Sequence, residues 1–372
     1  MRRISLTVFV LTSSLLFVSL PSNAAALNAP GTKCVKVGAV AKSGTVKVKC
    51  TRSGKKLSWQ KINGTAFAKF TPSSPPKNWD MVISSSDGTR LIAIGGDHTY
   101  ISTNTGLTWA THVNGLVDVQ FTSFASSSDG KRIFAAAWNG DIYSSSNSGI
   151  TWTSHPIGLD LKGPNLSIGS IAFSSDGRKL VAFLVGPTGL GGGPIYTSTD
   201  SGASWAAGPS GSWSAVASSS DGKKLVAAEA GGQINTSSDS GITWTAHAPS
   251  GSWSAFVRSI VSSDDGSKLS ITSSDQGGNP WYRVYTSLDS GATWTAHGPI
   301  GNWRGIASSK DGATLVADWN NYPNYGFYTS TDSGTTWTAL ALLRSCGTQN
   351  ALSGDGTILI TICGGQIYVV HK

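Results

Sequence analysis

The chain has 372 residues, only 13% of them charged, and a formal net charge of +8 that is unevenly placed. All the residues up to Ile62 carry eleven Lys and Arg and no acid, which leaves 17 positives against 20 acids in the rest. The larger part is therefore slightly acidic, and the electrostatic basis for nucleic-acid binding is removed there.

In chain order, Arg2 and Arg3, the apolar run Ile4 to Leu20 and the small residues Ala24-Ala25-Ala26 read as an export signal over 1–26. No later stretch is apolar enough to span a bilayer, so a secreted or cell-envelope location is expected. A small basic module follows over 27–64, in which Cys34 and Cys50 flank a turn signal centred on Lys42. The expected structure is a β-hairpin stapled by a Cys34–Cys50 disulfide, in keeping with an oxidising compartment. Cys346 and Cys363 straddle Gly354-Asp355 in the same way and are expected to form the second bridge.

The remainder, 65–372, is repetitive. Ser-Asp-Gly or a close variant places an Asp at 87, 129, 176, 221, 265, 311 and 355, at intervals of 42 to 47 residues. Between these lies Ser-x-Asp/Asn-x-Gly-x-Thr/Ser-Trp, ending at Trp109, Trp152, Trp205, Trp244, Trp294 and Trp337. Each period reads as four short strands, A to D, exemplified by Trp213–Ala217, Lys224–Ala228, Gln233–Thr236 and Thr243–Ala246. Four strands per repeat predict an all-β, seven-bladed β-propeller of four-stranded antiparallel blades. The seventh repeat ends after strand C, so its outer strand is expected from about 65–70, before the first blade.

The six Trp-ended motifs resemble the Asp-box, or bacterial-neuraminidase repeat, shared by sialidases, some secreted endoglucanases, sortilin-type receptors and photosystem II assembly-factor-like propellers. The resemblance covers nearly all of 79–372 and implies a fold rather than an activity. It implies that the box Asp at Asp200, Asp239, Asp289 and Asp332 accepts backbone hydrogen bonds, that the Gly takes a positive φ, and that the Trp packs between blades. Asn104 and Asn147 stand in two boxes where the others have Asp, an exchange that keeps turn chemistry and abolishes any shared catalytic or metal role. The stretch Gly31 to Trp59 is similar to short basic Cys-hairpin modules of secreted actinobacterial proteins, which implies either a tether to an anionic cell-wall polymer or a solvated hairpin.

Chemistry-bearing residues are sparse. A sialidase would resemble its family further by an Arg-Ile-Pro signature, but Arg132-Ile133 is followed by Phe134. Outside the repeats, Asp97, Asp141, Glu229, Asp275 and Asp318 are the carboxylates that a glycoside hydrolase would have to use. His112, His155, His247 and His297 each follow a box Trp by three residues, so they belong to four different blades and cannot meet on one metal. No metal site and no cofactor is expected.

In a four-stranded meander the two repeated motifs occupy the A–B and C–D turns of one face. Variable material collects on the other, in the B–C loops 186–194, 276–283 and 319–326. Trp138, Trp281, Tyr282, Trp319, Tyr322 and Tyr325 fall there, with Arg283 and Arg304 nearby. These are the candidate binding residues for a glycan or protein ligand. Trp79, Trp213, Trp253 and Trp303 open their A strands and read either as part of that surface or as packing lids. The expected function is a binding module acting through the B–C loop face; a carbohydrate-active hydrolase and an assembly scaffold are the alternatives.

Overall fold

A computed structural model describes residues 40–43, 46–53, 56–61, 66–70, 79–116, 119–138, 140–155, 167–185, 191–247, 256–274, 283–321, 324–340, 346–363 and 365–371. The chain divides into two compact units, Met1–Gly64 and Thr65–Lys372. The expected signal at 1–26 and Cys34 lie outside the described residues.

The first unit holds a three-stranded antiparallel sheet, Val40–Ser43, Val46–Ser53 and Lys56–Lys61. This corrects the hairpin expectation in two ways. A third strand is present, and Lys42 stands in the first ladder opposite Lys47, because Ser43 pairs with Val46 and Val40 with Lys49. Cys50 is the Cα partner of Trp59 in the third strand, and that register does not centre the hairpin between Cys34 and Cys50.

The second unit is a closed ring of seven four-stranded antiparallel sheets. The fourth blade runs Trp213–Ser218, Leu225–Glu229, Ile234–Ser237 and Thr245–His247. Its strands A to C are buried at most positions and the three-residue strand D is exposed, as an outermost strand must be. The seventh blade takes strands A to C from Cys346–Leu352, Ile358–Cys363 and Gln366–His371, and its strand D from Ala66–Phe70. Val369 there pairs with Ala68, so the two ends of the ring are joined by a β-ladder.

The core is distributed. Seven hydrophobic clusters occur among the described residues, one at each junction between neighbouring blades. The 7–1 cluster joins Ile360, Ile367 and Val369 to Leu91 and Tyr100. Each box Trp packs on the cluster between its own blade and the preceding one: Trp109 on 7–1, Trp152 on 1–2, Trp205 on 2–3, Trp244 on 3–4, Trp294 on 4–5 and Trp337 on 5–6. Blade seven has no box, and Leu340 and Tyr368 flank the 6–7 cluster instead.

The two repeated motifs form one device. In the fourth blade Ser219 Oγ donates to Asp221 Oδ1 (2.8 Å), which accepts the amide of Lys223 (2.9 Å). In the box, Ser237 Oγ accepts the amide of Gly241 (2.9 Å), and Asp239 accepts from the Thr243 amide (2.9 Å) and hydroxyl (2.6 Å). Trp244 Nε1 donates to the Gly241 carbonyl at 3.0 Å. The amide of Ser240 then bonds the Lys223 carbonyl (2.9 Å), tying the C–D turn to the A–B turn on the same face. Successive A–B turns are linked in sequence by backbone bonds, Ser175 to Ser220, Ser220 to Asp264, Asp264 to Lys310 and Lys310 to Gly354, each 2.7–2.9 Å. These donors and acceptors bond one another within and between the turns.

Candidate functional site at the channel mouth

The innermost strands explain where a site is built. In blades two to seven the A–B ladder slips by at least one residue near the start of strand A. A β-bulge re-aims the extra side chain, and here the residues at the slip are Thr122, Gly169, Ser214, Arg258, Arg304 and Gln349. All six line one cavity of about 520 Å³ at the ring's centre, together with Ser123, Ser170, Ser259 and Asn302. Strand A begins where the D–A loop ends, so these residues lie toward the face opposite the repeated motifs.

The ring of bulge residues is chemically lopsided. Blades two to four supply Thr122, Gly169 and Ser214, whereas blades five and six supply Arg258 and Arg304, both exposed. The neutral side is locked: Thr122 Oγ1 donates to the carbonyls of Ala136 and Ile168, and Ser214 Oγ to Ala228 O (3.1 Å). Blade one has no slip, and its counterpart residue, Asp80, accepts the Gly96 amide at 3.0 Å while burial raises its pKa. No carboxylate is among the described residues lining the cavity.

Beside Arg304, on strand B of blade six (Leu315–Asn321), lies Asp318, which is 3% exposed. Its Oδ2 has no hydrogen-bond partner among the described residues. Burial pushes its carboxyl up to about 7, with the Arg304 charge acting in the opposite direction.

The loop-face candidates separate. Trp281 and Tyr282, with Asp275, lie outside the described residues, as do Tyr322 and Trp253. Trp319 is a correction: it stands in a strand, not a loop, paired with Trp303, edge-on to Tyr328 at 5.6 Å and packed in the 5–6 junction. The expected loop 319–326 is largely ladder, with Asn320 opposite Tyr325 and Asn321 opposite Asn324. Gly301 admits the Trp319 ring, since a Cβ there would stand 2.0 Å from Nε1. Likewise the expected loop 186–194 is strand from Gly191 onward. Arg283 is half-buried and donates from Nη1 to Gly298 O at 2.9 Å, fastening the loop before blade six. Trp138, 56% exposed, is the aromatic candidate that faces solvent among the described residues. Trp213 and Trp303 are buried and donate Nε1 to Gly193 O (2.9 Å) and Pro299 O (3.2 Å), and Trp79 donates to Gly365 O (3.1 Å).

The described hydrolase carboxylates are spread over four blades. Asp97, Asp141, Glu229 and Asp318 belong to blades one, two, four and six; Asp97 contacts His98 at 2.5 Å and Glu229 accepts from Asn235 at 3.3 Å. His155 and His247 bond across to Ser144 and Thr236 within their own blades (2.6 and 2.8 Å).

Arg258 is the residue that inspection of the repeats overlooks, although a signal exists. The residue seven positions before each repeated Asp is Asp80, Thr122, Gly169, Ser214, Arg258, Arg304 and Thr348, which selects the bulge position in blades two to six. It is masked because this position varies where the motifs do not.

No protein-family model matches the chain, and no curated protein does. Solved structures do. The chain is similar to YCF48 bound to D1 peptide (TM-score 0.54, 16% identity, 84% of this chain and 98% of that one). It is similar to YCF48 from Cyanidioschyzon merolae (TM-score 0.58, 15% identity, 82% and 99%) and to Kuenenia stuttgartiensis hydrazine synthase (TM-score 0.60, 14% identity, 81% and 97%). At these identities the likeness shows the fold, a seven-bladed β-propeller.

Proposed function

We propose that the chain is an exported, non-enzymatic binding propeller that takes an acidic, extended segment of a partner protein at the channel mouth on the B–C and D–A face. The carrying observation is the pair Arg258 and Arg304, exposed in a cavity whose other described lining residues are uncharged. Because the propeller as a whole has more acids than bases, this local cationic edge selects anions at one place and gives orientation as well as attraction. That YCF48, of similar fold, has been captured with a peptide supports a peptide over a glycan. So does the packing of Trp213, Trp303 and Trp319 into blade junctions, which removes them as sugar-stacking platforms. Arg2, Arg3 and the apolar run to Leu20 support export, and the basic 27–64 module remains a candidate tether to an anionic cell-wall polymer.

The test is fluorescence anisotropy of a labelled hexaglutamate peptide against wild type, Arg258→Ala and Arg304→Ala, with hexalysine and cellohexaose as competitors. Wild type is expected to bind hexaglutamate and to lose at least about tenfold in affinity with either substitution. Equal binding by the variants, or displacement by cellohexaose, would refute this assignment. N-terminal sequencing of protein recovered outside the cytoplasm tests export, with a start beyond Ala24 expected.

A further inference from the structure

We propose that Asp318 is a built-in proton-linked regulator of the channel mouth: ionised, it sets a negative charge beside Arg304 and weakens anion uptake, and protonated, it withdraws that charge and strengthens uptake. This rests on the channel mouth being the binding site.

The geometry places the carboxyl where it can act on the cationic edge without being part of it. Asp318 is on the strand that pairs with the bulged strand carrying Arg304; Trp303 pairs with Trp319 and Ile306 with Ala317, which sets Asp318 opposite the bulge formed by Arg304 and Gly305. Arg304 and Gly305 both line the cavity, whereas Asp318 is 3% exposed beneath it. Thr272 Oγ1 of blade five donates to the Arg304 carbonyl at 2.7 Å, holding the bulge in place. A carboxylate whose buried Oδ2 has no partner among the described residues is costly to keep ionised, and a neutral acid is the cheaper state in such a place.

The strands packed against Asp318 are Trp303–Ser308, Asn324–Ser330 and Cys346–Leu352. Their charged or titratable residues are Arg304, Tyr325 and Tyr328, and Cys346 is the Cα partner of the disulfide-bonded Cys363. Arg304 is the one that acts electrostatically on the carboxyl. With burial raising the carboxyl to about 7 against the Arg304 charge, its charge changes near neutral pH. An anion bound at Arg304 adds negative charge nearby and raises the carboxyl further, so binding takes up a proton; by linkage, a fall in pH tightens binding.

The experiment measures hexaglutamate affinity from pH 6 to 8.5 for wild type, Asp318→Asn and Arg304→Gln. It is paired with calorimetry of wild type at pH 7 in buffers of different ionisation enthalpy. Wild type is expected to weaken about tenfold across that range, as one nearby charge at intermediate dielectric would cause. Asp318→Asn is expected to stay at the affinity of the acidic limb throughout, and the calorimetry to show net proton uptake. An unchanged pH slope in Asp318→Asn, or no proton uptake by wild type, while binding still requires Arg304, overturns the regulation and leaves the site standing. No binding by wild type at any pH overturns both.

Discussion

The amide of Thr105 bonds the carbonyl of Thr89 at 3.1 Å, and that one contact fastens the box turn of the first blade to its Ser-Asp-Gly turn. Thr105 pays for it with a left-handed backbone, φ 59°, followed by Gly106 at φ 86°. The same two-residue step recurs in all six boxes, from Ser148-Gly149 to Ser333-Gly334, and two successive positive φ values are the mark of a type I′ turn.

Adjacent residues of one turn should therefore respond oppositely. Gly334→Ala meets both an unfavourable φ of 87° and Thr286 Cγ2 of the preceding blade, 2.5 Å from the new Cβ, and is expected to cost about 1–3 kcal/mol. Ser333→Gly at φ 58° relieves left-handed strain while loosening the unfolded chain, and is expected to stay within about 0.5 kcal/mol of wild type. Urea melts of the two variants check this; equal losses would contradict it.

Acid should unfold the propeller through its turns. Hydrogen bonds from Thr243 and Ser237 hold Asp239 at about 2, and Thr336 and Ser330 do the same for Asp332. A carboxyl lowered in the folded state stabilises above its unfolded value of about 3.9, and that contribution is lost as pH falls toward about 2. Asp239→Asn is expected to fold, because Asn104 already does this work: its Oδ1 accepts the Thr108 amide, and its Nδ2 donates to Thr108 Oγ1 at 2.8 Å, reversing the hydroxyl's role. The variant's melting temperature should fall less steeply than wild type's between pH 4 and pH 2.

Removing Ala66–Phe70 should open the ring. The seventh blade would keep three strands, and the Gln366–His371 strand would lose the ladder in which His371 pairs with Ala66 and Ile367 with Phe70. A chain starting at Trp79 is expected to lose cooperative unfolding, and a synthetic 62–76 peptide added in trans to restore it. Unchanged thermal unfolding of the truncated chain would show that the ladder is dispensable.

Cys346 and Cys363 are Cα partners across the A–B ladder of the same blade, a separation compatible with a disulfide. Mass spectrometry of the unreduced protein is expected to find these two cysteines in one cross-linked peptide pair. Reduction should cost about 3 kcal/mol, the value for a loop of this length. Two free thiols on the native protein would be the contrary result.

Much of the scaffold was legible because its cause is local. Ser, Asp and Gly at fixed spacing specify turns by their own side chains and φ values, as Ser219, Asp221 and Gly222 do, so counting them counts blades. The Trp of each box was readable for the same reason, since a bulky ring at constant register has one place to go.

The binding surface was not legible in that way. Trp319 looked like a loop aromatic because Asn320-Asn321-Tyr322-Pro323 reads as a turn, yet the ladder continues to Asn321 and Gly301 makes room for the ring. Which residues meet at the channel depends on a register slip in strand A of six different blades, and pairing across a ladder is a relation between segments that no single segment encodes. Sequence by itself determined the number of blades, the turn chemistry and the face the motifs occupy. Only the tertiary structure decided that Arg258 and Arg304 share a cavity and that Asp318 is buried beside one of them, because blade packing brings positions 46 residues apart to one channel and the A–B ladder sets Asp318 opposite the Arg304 bulge.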